Sequence, residues 1–534
     1  MGFLNDVSAS DHRYSLLENR CRRRSFLLGT GFLTGLTITS QWQPVLANLR
    51  FSSYPFSLGV ASGDPLPDSV VLWTRLAPQP LAGGGMPPRD ISVQWQVALD
   101  ENMRQVVRRG KTLAKSELAH SVHVDVRGLD PDRWYWYQFK VGTEVSPIGR
   151  TRTAPAINSS IPQLNFAFVS CQDWQNGYYT AYGHMADEDL DFVVHLGDYI
   201  YECGQKSGGV RQHNTPEAFS LEDYRNRHAL YKTDSNLQAV HAAFPWIVTW
   251  DDHEVNNNYA NLISQDNQTL EDFTERRANA YQAYYEHMPL RLSSLPNGVN
   301  MQLYRRFTFG DLAEFHVLDT RQYRSNQPCN DGFQPRCPHA FDSSATMTGA
   351  KQEKWLLKGL EQSRSRWNVI AQQTMFAEYN FKITPDLGLF LDVFNLDQWD
   401  GYVAARHRLL NFLHQRQPSN PVIISGDIHS SWVHDLQLDF DNPNSATVGT
   451  EFVGTSISSD FPPQLIPVVR SSLINNPHTK FFNATFRGYI RCNLNRERWQ
   501  SDYRVVSSIV DLNASIKTLA SFVVENGQPG ALVN

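Results

Sequence analysis

Four short apolar runs, 164–169, 192–194, 246–248 and 422–424, each end on residues of metal-ligating type. That regularity constrains the fold more than any other feature of the chain. The first run leads into Ser170-Cys171-Gln172-Asp173, and the second into His195-Leu196-Gly197-Asp198 with Tyr201 three residues on. The third leads into Trp250-Asp251-Asp252-His253-Glu254, and the fourth into Ser425-Gly426-Asp427-Ile428-His429. Runs this short and apolar read as buried strands, and open α/β sheets gather ligands at the carboxyl ends of their strands. Carboxylates converging with an imidazole and a thiolate are the donor set of a polynuclear metal site.

The rest of the chain divides around these runs. Strand-like stretches at 70–74, 91–97, 121–126 and 134–141, separated by turn sequences such as Gly63-Asp64-Pro65 and Leu129-Asp130-Pro131, predict a small all-β immunoglobulin- or fibronectin-like sandwich over 50–155. Residues 151–162 read as a linker. From 163 the order becomes α/β, with helices expected over 221–231, 271–287 and 352–362 and further strands over 313–318 and 369–371. The expected boundaries are a signal segment at 1–47, the sandwich at 50–155, a catalytic domain at 163–460 and its extension at 461–534. In that extension 481–493 looks β-like and 507–519 is weakly periodic.

With 534 residues, a net charge of -6 and 12% aromatics, the chain can bury a large core and lacks the basic balance of a nucleic-acid binder. Near the N-terminus, Arg22-Arg23-Arg24-Ser25-Phe26-Leu27 precedes a Gly/Thr-rich apolar stretch and then Val45-Leu46-Ala47. This is the pattern of a twin-arginine export signal, and the stretch is too short to span a membrane stably. Export places the protein in the periplasm or outside the cell. Of the six cysteines, Cys21 would leave with the signal, Cys329 and Cys337 could close a local disulfide, and Cys203 could pair with Cys492. Cys171 is then the odd thiol.

Each candidate has an ordinary structural alternative. Gly197 lets the backbone turn so that Asp198 projects outward and can bridge two cations, but Asp is common in turns. Tyr201 offers a hard phenolate ligand or is simply half buried. Asp251-Asp252-His253-Glu254 is either a set of acids that cations must neutralise, with His253 as a general acid, or a helix-capping cluster. The alternation of Asp427 and His429 puts both on one side of an extended segment, within reach of one binuclear centre. Cys171 is a ligand thiolate or an inert buried thiol. Arg321 and Arg324, in Asp319-Thr320-Arg321-Gln322-Tyr323-Arg324, could hold a phosphate bidentately or form surface salt bridges.

Together with Phe56-Ser-Leu-Gly-Val-Ala-Ser-Gly-Asp-Pro65, His195-Leu-Gly-Asp-Tyr-Ile-Tyr-Glu202 and Trp399-Asp-Gly-Tyr402, these motifs make the chain resemble the PhoD-type alkaline phosphatases of the calcineurin-like metallophosphatase superfamily, from the signal through about residue 460. The resemblance implies an α/β metallophosphatase core of two mixed β-sheets flanked by helices. It also implies a site of Fe3+ with Ca2+: Cys171, Asp198, Tyr201 and His429 as iron ligands, Asp198 as the bridge, Asp252 and Asp427 on calcium, and Asn257 as a further candidate. Cys171-x-Asp173 stands where the wider superfamily has Asp-x-His, and Asp251-Asp252-His253 where it has Gly-Asn-His. The implied reaction is hydrolysis of phosphate monoesters, and of diesters, by metal-activated water or oxide; Arg321 would help hold the phosphoryl group, and His253 would either protonate the leaving alkoxide or position groups behind the metal ligands. The implied partners are small phosphate esters and the twin-arginine export machinery. The alternatives are a phosphodiesterase or phospholipase D of the same superfamily, a secreted non-catalytic binding protein, and a metal-binding protein with a dead site; the intact Asp198, Asp427 and His253 argue against the last.

Overall fold

In a computed structural model that describes residues 51–382 and 391–534, two large mixed β-sheets form the centre of the molecule. The expected signal segment and Cys21 lie outside the described residues. The first sheet has ten strands, and at its middle Gln163–Val169, Phe192–His195, Pro245–Val248 and Val60–Leu66 run parallel. The second has seven, with Ala313–Val317, Trp367–Ala371, Pro421–Ser425 and Thr447–Val453 parallel at its centre.

Side-chain alternation builds the layers. Phe166, Phe168, Phe192, Val194 and Ile247 of the first sheet pack against Phe315, Val317, Val369, Val422, Ile424 and Phe452 of the second. Their neighbours Ala167, Val169, Val193, Trp246 and Val248 point the other way, into a core shared with helices Leu221–Lys232, Ser235–Ala243 and Leu270–His287. Ile370 and Ile423 likewise meet Leu356, Leu360, Leu409 and Leu413 on helices Gly349–Gln362 and Val403–Arg416. Strands buried on both faces must be apolar throughout, which is why the four runs show no polar alternation. Helix starts carry their own chemistry: Ser220 and Asp223 form a capping box, and Thr269 accepts from the Asp272 N–H.

Two sets of strand pairings cross the expected segment boundaries. The 50–155 segment does not close on itself. Ile91–Ala98, Val106–Ala114, Trp134–Val141 and their neighbours make a separate antiparallel sheet, but Val60–Leu66, Ser69–Arg75 and Ser121–Arg127 extend the ten-stranded sheet. The join is the parallel pairing of Ser62 with Pro245 and Gly63 with Trp246. A side chain at Gly63 would lie 2.6 Å from the Pro289 carbonyl oxygen and 2.7 Å from that of Trp246, so glycine is needed where the chains meet. The C-terminal segment is integral to the core. The β-like stretch at 481–493 splits, with Thr479–Asn483 joining the second sheet and Arg487–Asn495 pairing antiparallel with Gln163–Val169 in the first. Cys329 and Cys337 are disulfide-bonded, whereas Cys203 and Cys492 are both free thiols. Cys492 is held inside the sheet opposite Phe166 and Ser501, where Cys203 is not its neighbour. No helix among the described residues is long and apolar enough to cross a membrane.

Candidate metal centre

The four strand-end loops meet at one edge of the sheets and are tied together by backbone hydrogen bonds, by the Glu254 carboxylate and by close packing. The Cys171 N–H donates to the Gly197 carbonyl at 3.1 Å and the Gln172 N–H to that of Asp198 at 3.0 Å, which ties the first loop to the second. Glu254 ties the second to the third: its carboxylate accepts the N–H groups of Asp198 (3.1 Å), Tyr199 and Asp251 (2.7 Å). The fourth approaches the first so closely that a side chain at Gly426 would sit 2.4 Å from the Ser170 hydroxyl. Cys171, Asp198, Asp427 and His429 all have φ between 55° and 64°. Non-glycine residues pay a steric penalty there, and such outliers concentrate at functional sites.

Three sets of donor atoms result, each with its atoms within 4.8 Å of one another: Cys171, Asp198 and His429; Asp198, Asp252 and His253; and Asp251, Asp252 and Asp427. Asp198 links the first two sets and Asp252 the last two. Tyr201 lies at the first, its hydroxyl 3.0 Å from Asp198 Oδ2 and 3.1 Å from His429 Nε2, while it accepts the Ser459 hydroxyl at 2.7 Å. His429 Nδ1 donates to the Asp460 carbonyl at 2.9 Å, which leaves Nε2 as the free lone pair facing the cluster. The set is buried, and it reaches solvent at His253 and Asp427, whose side chains are 18% and 15% exposed.

The charges are unbalanced. Burial, reinforced by neighbouring carboxylates, pushes the Cys171 thiol, the Tyr201 phenol and the Asp198 carboxyl well above their ordinary ranges, although His253 opposes the rise at Asp198. Burial raises Asp427 to about 7 against the pull of Arg321, and it lowers His429 to about 4, which keeps that imidazole neutral. Asp198 Oδ1 is buried without a hydrogen-bond partner. A buried carboxylate oxygen with no donor, beside a thiol, a phenol, an unprotonated imidazole nitrogen and further acids, is chemistry that cations would satisfy. The donors fit a metal pair.

Other expected residues lie differently. Arg321 is fully buried and ringed by Asp251, Asp252, Asp397 and Asp427, so its guanidinium does not face the open side and cannot hold a phosphoryl group there as expected. Arg324 is also buried, paired to Asp397 at 2.7 Å. Asp427 and His429 do not share one side of an extended segment. Both are in left-handed conformation, so the chain turns between them and they serve different donor sets. The Asn257 side chain donates to Gln265. Asp173 is paired with Lys206, and His195 is packed against Trp246 and Tyr199 behind the loops. Sequence reasoning gave no role to Asp397, Gln398, Glu202 or Ser459. Ser459 carried the same signal as the other loops, a polar stretch directly after the buried strand Thr447–Val453.

Residues 166–503 match the PhoD-like phosphatase family, and residues 41–155 match its N-terminal domain. The chain belongs to the PhoD-like phosphatase family. It is 51% identical to alkaline phosphatase D of Bacillus subtilis (strain 168) over 532 residues, covering 97% of this chain and 90% of that protein. The solved structure of PhoD superposes with a TM-score of 0.86 at 53% identity, covering 91% of this chain and 93% of the other. This PhoD-like phosphatase is therefore a phosphoric ester hydrolase, and the cluster at its strand ends is the candidate catalytic centre.

Proposed function

We propose that this phosphatase is exported and hydrolyses phosphate monoesters, and also diesters, at an iron–calcium centre. Cys171, Asp198, Tyr201 and His429 would hold Fe3+, a hard cation suited to phenolate and carboxylate. Asp198, Asp252 and Asp427 would hold Ca2+, which takes oxygen ligands. The observation that carries the reading is the chaining of the three donor sets, the first two sharing Asp198 and the last two Asp252, with Asp198 Oδ1 lacking a hydrogen-bond partner. Bound there, the cations supply Lewis acidity toward a phosphoryl oxygen and lower the pKa of water.

The protein's own groups do the rest. His253 stands at the open side, its ring 4.2 Å from that of Tyr201 and its Nδ1 2.7 Å from Glu202 Oε2. Burial opposes a charge on this imidazole, but Glu202, Asp252 and Asp198 raise its pKa well above the ordinary value. With Nδ1–H held by Glu202, the second proton sits on Nε2, from which it can pass to a leaving alkoxide. Arg321 balances the charge of the acids without touching substrate. Export rests on the twin-arginine sequence around Arg23-Arg24.

The test is elemental analysis of the purified protein, paired with phosphate release from a monoester and a diester sharing one leaving group, before and after calcium chelation. Iron in the protein and chelator-sensitive release from both esters are expected. A metal-free protein of undiminished activity would sink the proposal, and release from the diester alone would replace it with a phosphodiesterase.

A further inference from the structure

The geometry points to Asp397 and Gln398 as positioning residues that keep the carboxylate side of the centre open to a cation. The inference rests on the metal reading above. Asp397 accepts Arg321 Nη1 on Oδ1 and Nη2 on Oδ2, two parallel bonds of 2.8 Å. This fork-to-carboxylate pairing fixes the orientation of a guanidinium as well as its place. Asp397 is itself held by Arg324 Nη1 and Gln327 Nε2, both at 2.7 Å from Oδ1. Gln398, the next residue, donates Nε2 to Asp427 Oδ2 and accepts the Met375 N–H on Oε1. One dipeptide thus grips both the buried cation and one of the acids it neighbours.

The distances show what the grip accomplishes. Arg321 Nη2 is 2.8 Å from Asp397 but 3.4 Å from both Asp252 and Asp427. The guanidinium is anchored on Asp397 and, through Nε, on Asp251, so it stands back from Asp252 Oδ1 and Asp427 Oδ1 and leaves those oxygens for another cation, while their Oδ2 atoms accept the Asn258 N–H and the Gln398 amide. Losing the Asp397 charge acts twice in the same direction. The guanidinium, then held at one end by Asp251 alone, can close on Asp252 and Asp427, and with one counter-charge fewer it repels a divalent ion beside it more strongly. The donor set of Cys171, Asp198 and His429 contains none of these contacts.

The experiment titrates calcium chloride into chelator-stripped protein by calorimetry and compares wild type with Asp397→Asn. Roughly ten-fold or greater loss of calcium affinity is expected, the size typical of residues that orient metal ligands. Bound iron should be unchanged, and raised calcium should restore turnover. In an Arg321→Met background, Asp397→Asn should add little, because its partner is gone. A folded Asp397→Asn that binds calcium like wild type overturns the inference, as does a loss of equal size in the Arg321→Met background, which would mark a role confined to the local turn. If Asp397→Asn does not fold, Arg321→Lys, which keeps the charge but not the fork, carries the same expectation and the same refutation. A wild-type protein that takes up no calcium sinks the metal reading instead.

Discussion

Tyr201→Phe removes one oxygen from the centre of the cluster and nothing else. The ring keeps its contact with His253 at 4.2 Å and remains in a site where Tyr201 is only 4% exposed. Three polar neighbours lose a partner: Asp198 Oδ2, His429 Nε2 and the Ser459 hydroxyl. The one Ser459 proton can turn instead to the Cys171 carbonyl, 2.9 Å away, so its loss is small. The single Tyr201 proton serves either Asp198 Oδ2 or His429 Nε2 at any moment, so one hydrogen bond of about 1 kcal/mol net is lost and chelator-stripped protein should lose roughly 1 kcal/mol of stability. If the phenol is also a metal ligand, the loaded protein loses more. A ten- to hundred-fold drop in metal affinity adds about 1.4–2.7 kcal/mol, because each factor of ten is about 1.4 kcal/mol. The stability difference between variant and wild type should therefore rise roughly two- to four-fold when metal is present. Denaturant unfolding with and without chelator measures both, and elemental analysis together with the visible spectrum reports the iron directly. Asp173→Asn is the control, since Asp173 pairs with Lys206 and should leave metal content alone. Equal losses with and without metal, with unchanged iron and colour, would remove Tyr201 from the ligand set.

Three further expectations concern neighbouring groups. Glu202→Gln removes the carboxylate that holds His253 Nδ1, so the imidazole should lose its proton at lower pH, moving the alkaline limb of kcat toward acid; an imidazole NMR titration that does not move contradicts this. Because the folded-state pKa of His253 lies above its unfolded value, the stability it contributes is present below about pH 6.5 and is lost as pH rises through the folded value, and Glu202→Gln should shrink that pH-dependent part of the unfolding free energy. Replacing both Cys329 and Cys337 by Ser opens a loop with a sequence separation of 8, which chain entropy prices at about 2–3 kcal/mol; an unaltered denaturation midpoint would refute that estimate. Gly197→Ala places a methyl 2.4 Å from the Asp251 Cβ at a φ of 119°, and should cost roughly 3 kcal/mol or more or prevent folding; a soluble variant of native stability would show that the loop can shift freely.

Much of the fold and part of the site could be read from the chain. The helices at 221–231 and 271–287 appear as Leu221–Lys232 and Leu270–His287, because their caps and apolar spacing are local properties. The ligand loops were legible for a related reason: a strand buried on both faces must be apolar, so its end is marked in the sequence by the first polar residues. That the N-terminal β-domain would join the ten-stranded sheet was not legible, since nothing within 50–155 records that Val60–Leu66 will pair with Pro245–Val248. Nor was the burial of Arg321 among acids. Its neighbours in sequence resemble a substrate clamp, while its partner Asp397 lies 76 residues away.

The sequence by itself determined which residue types stand at the strand ends, and so the kind of chemistry available, because strand burial and turn composition are set by nearest neighbours. Tertiary structure alone decided which of those groups share a cation, which way Asp427 and His429 turn, and that one guanidinium is spent on neutralising acids. Those outcomes depend on distances of a few ångströms between segments tens to hundreds of residues apart, and electrostatic pairing in a buried site changes steeply over such distances.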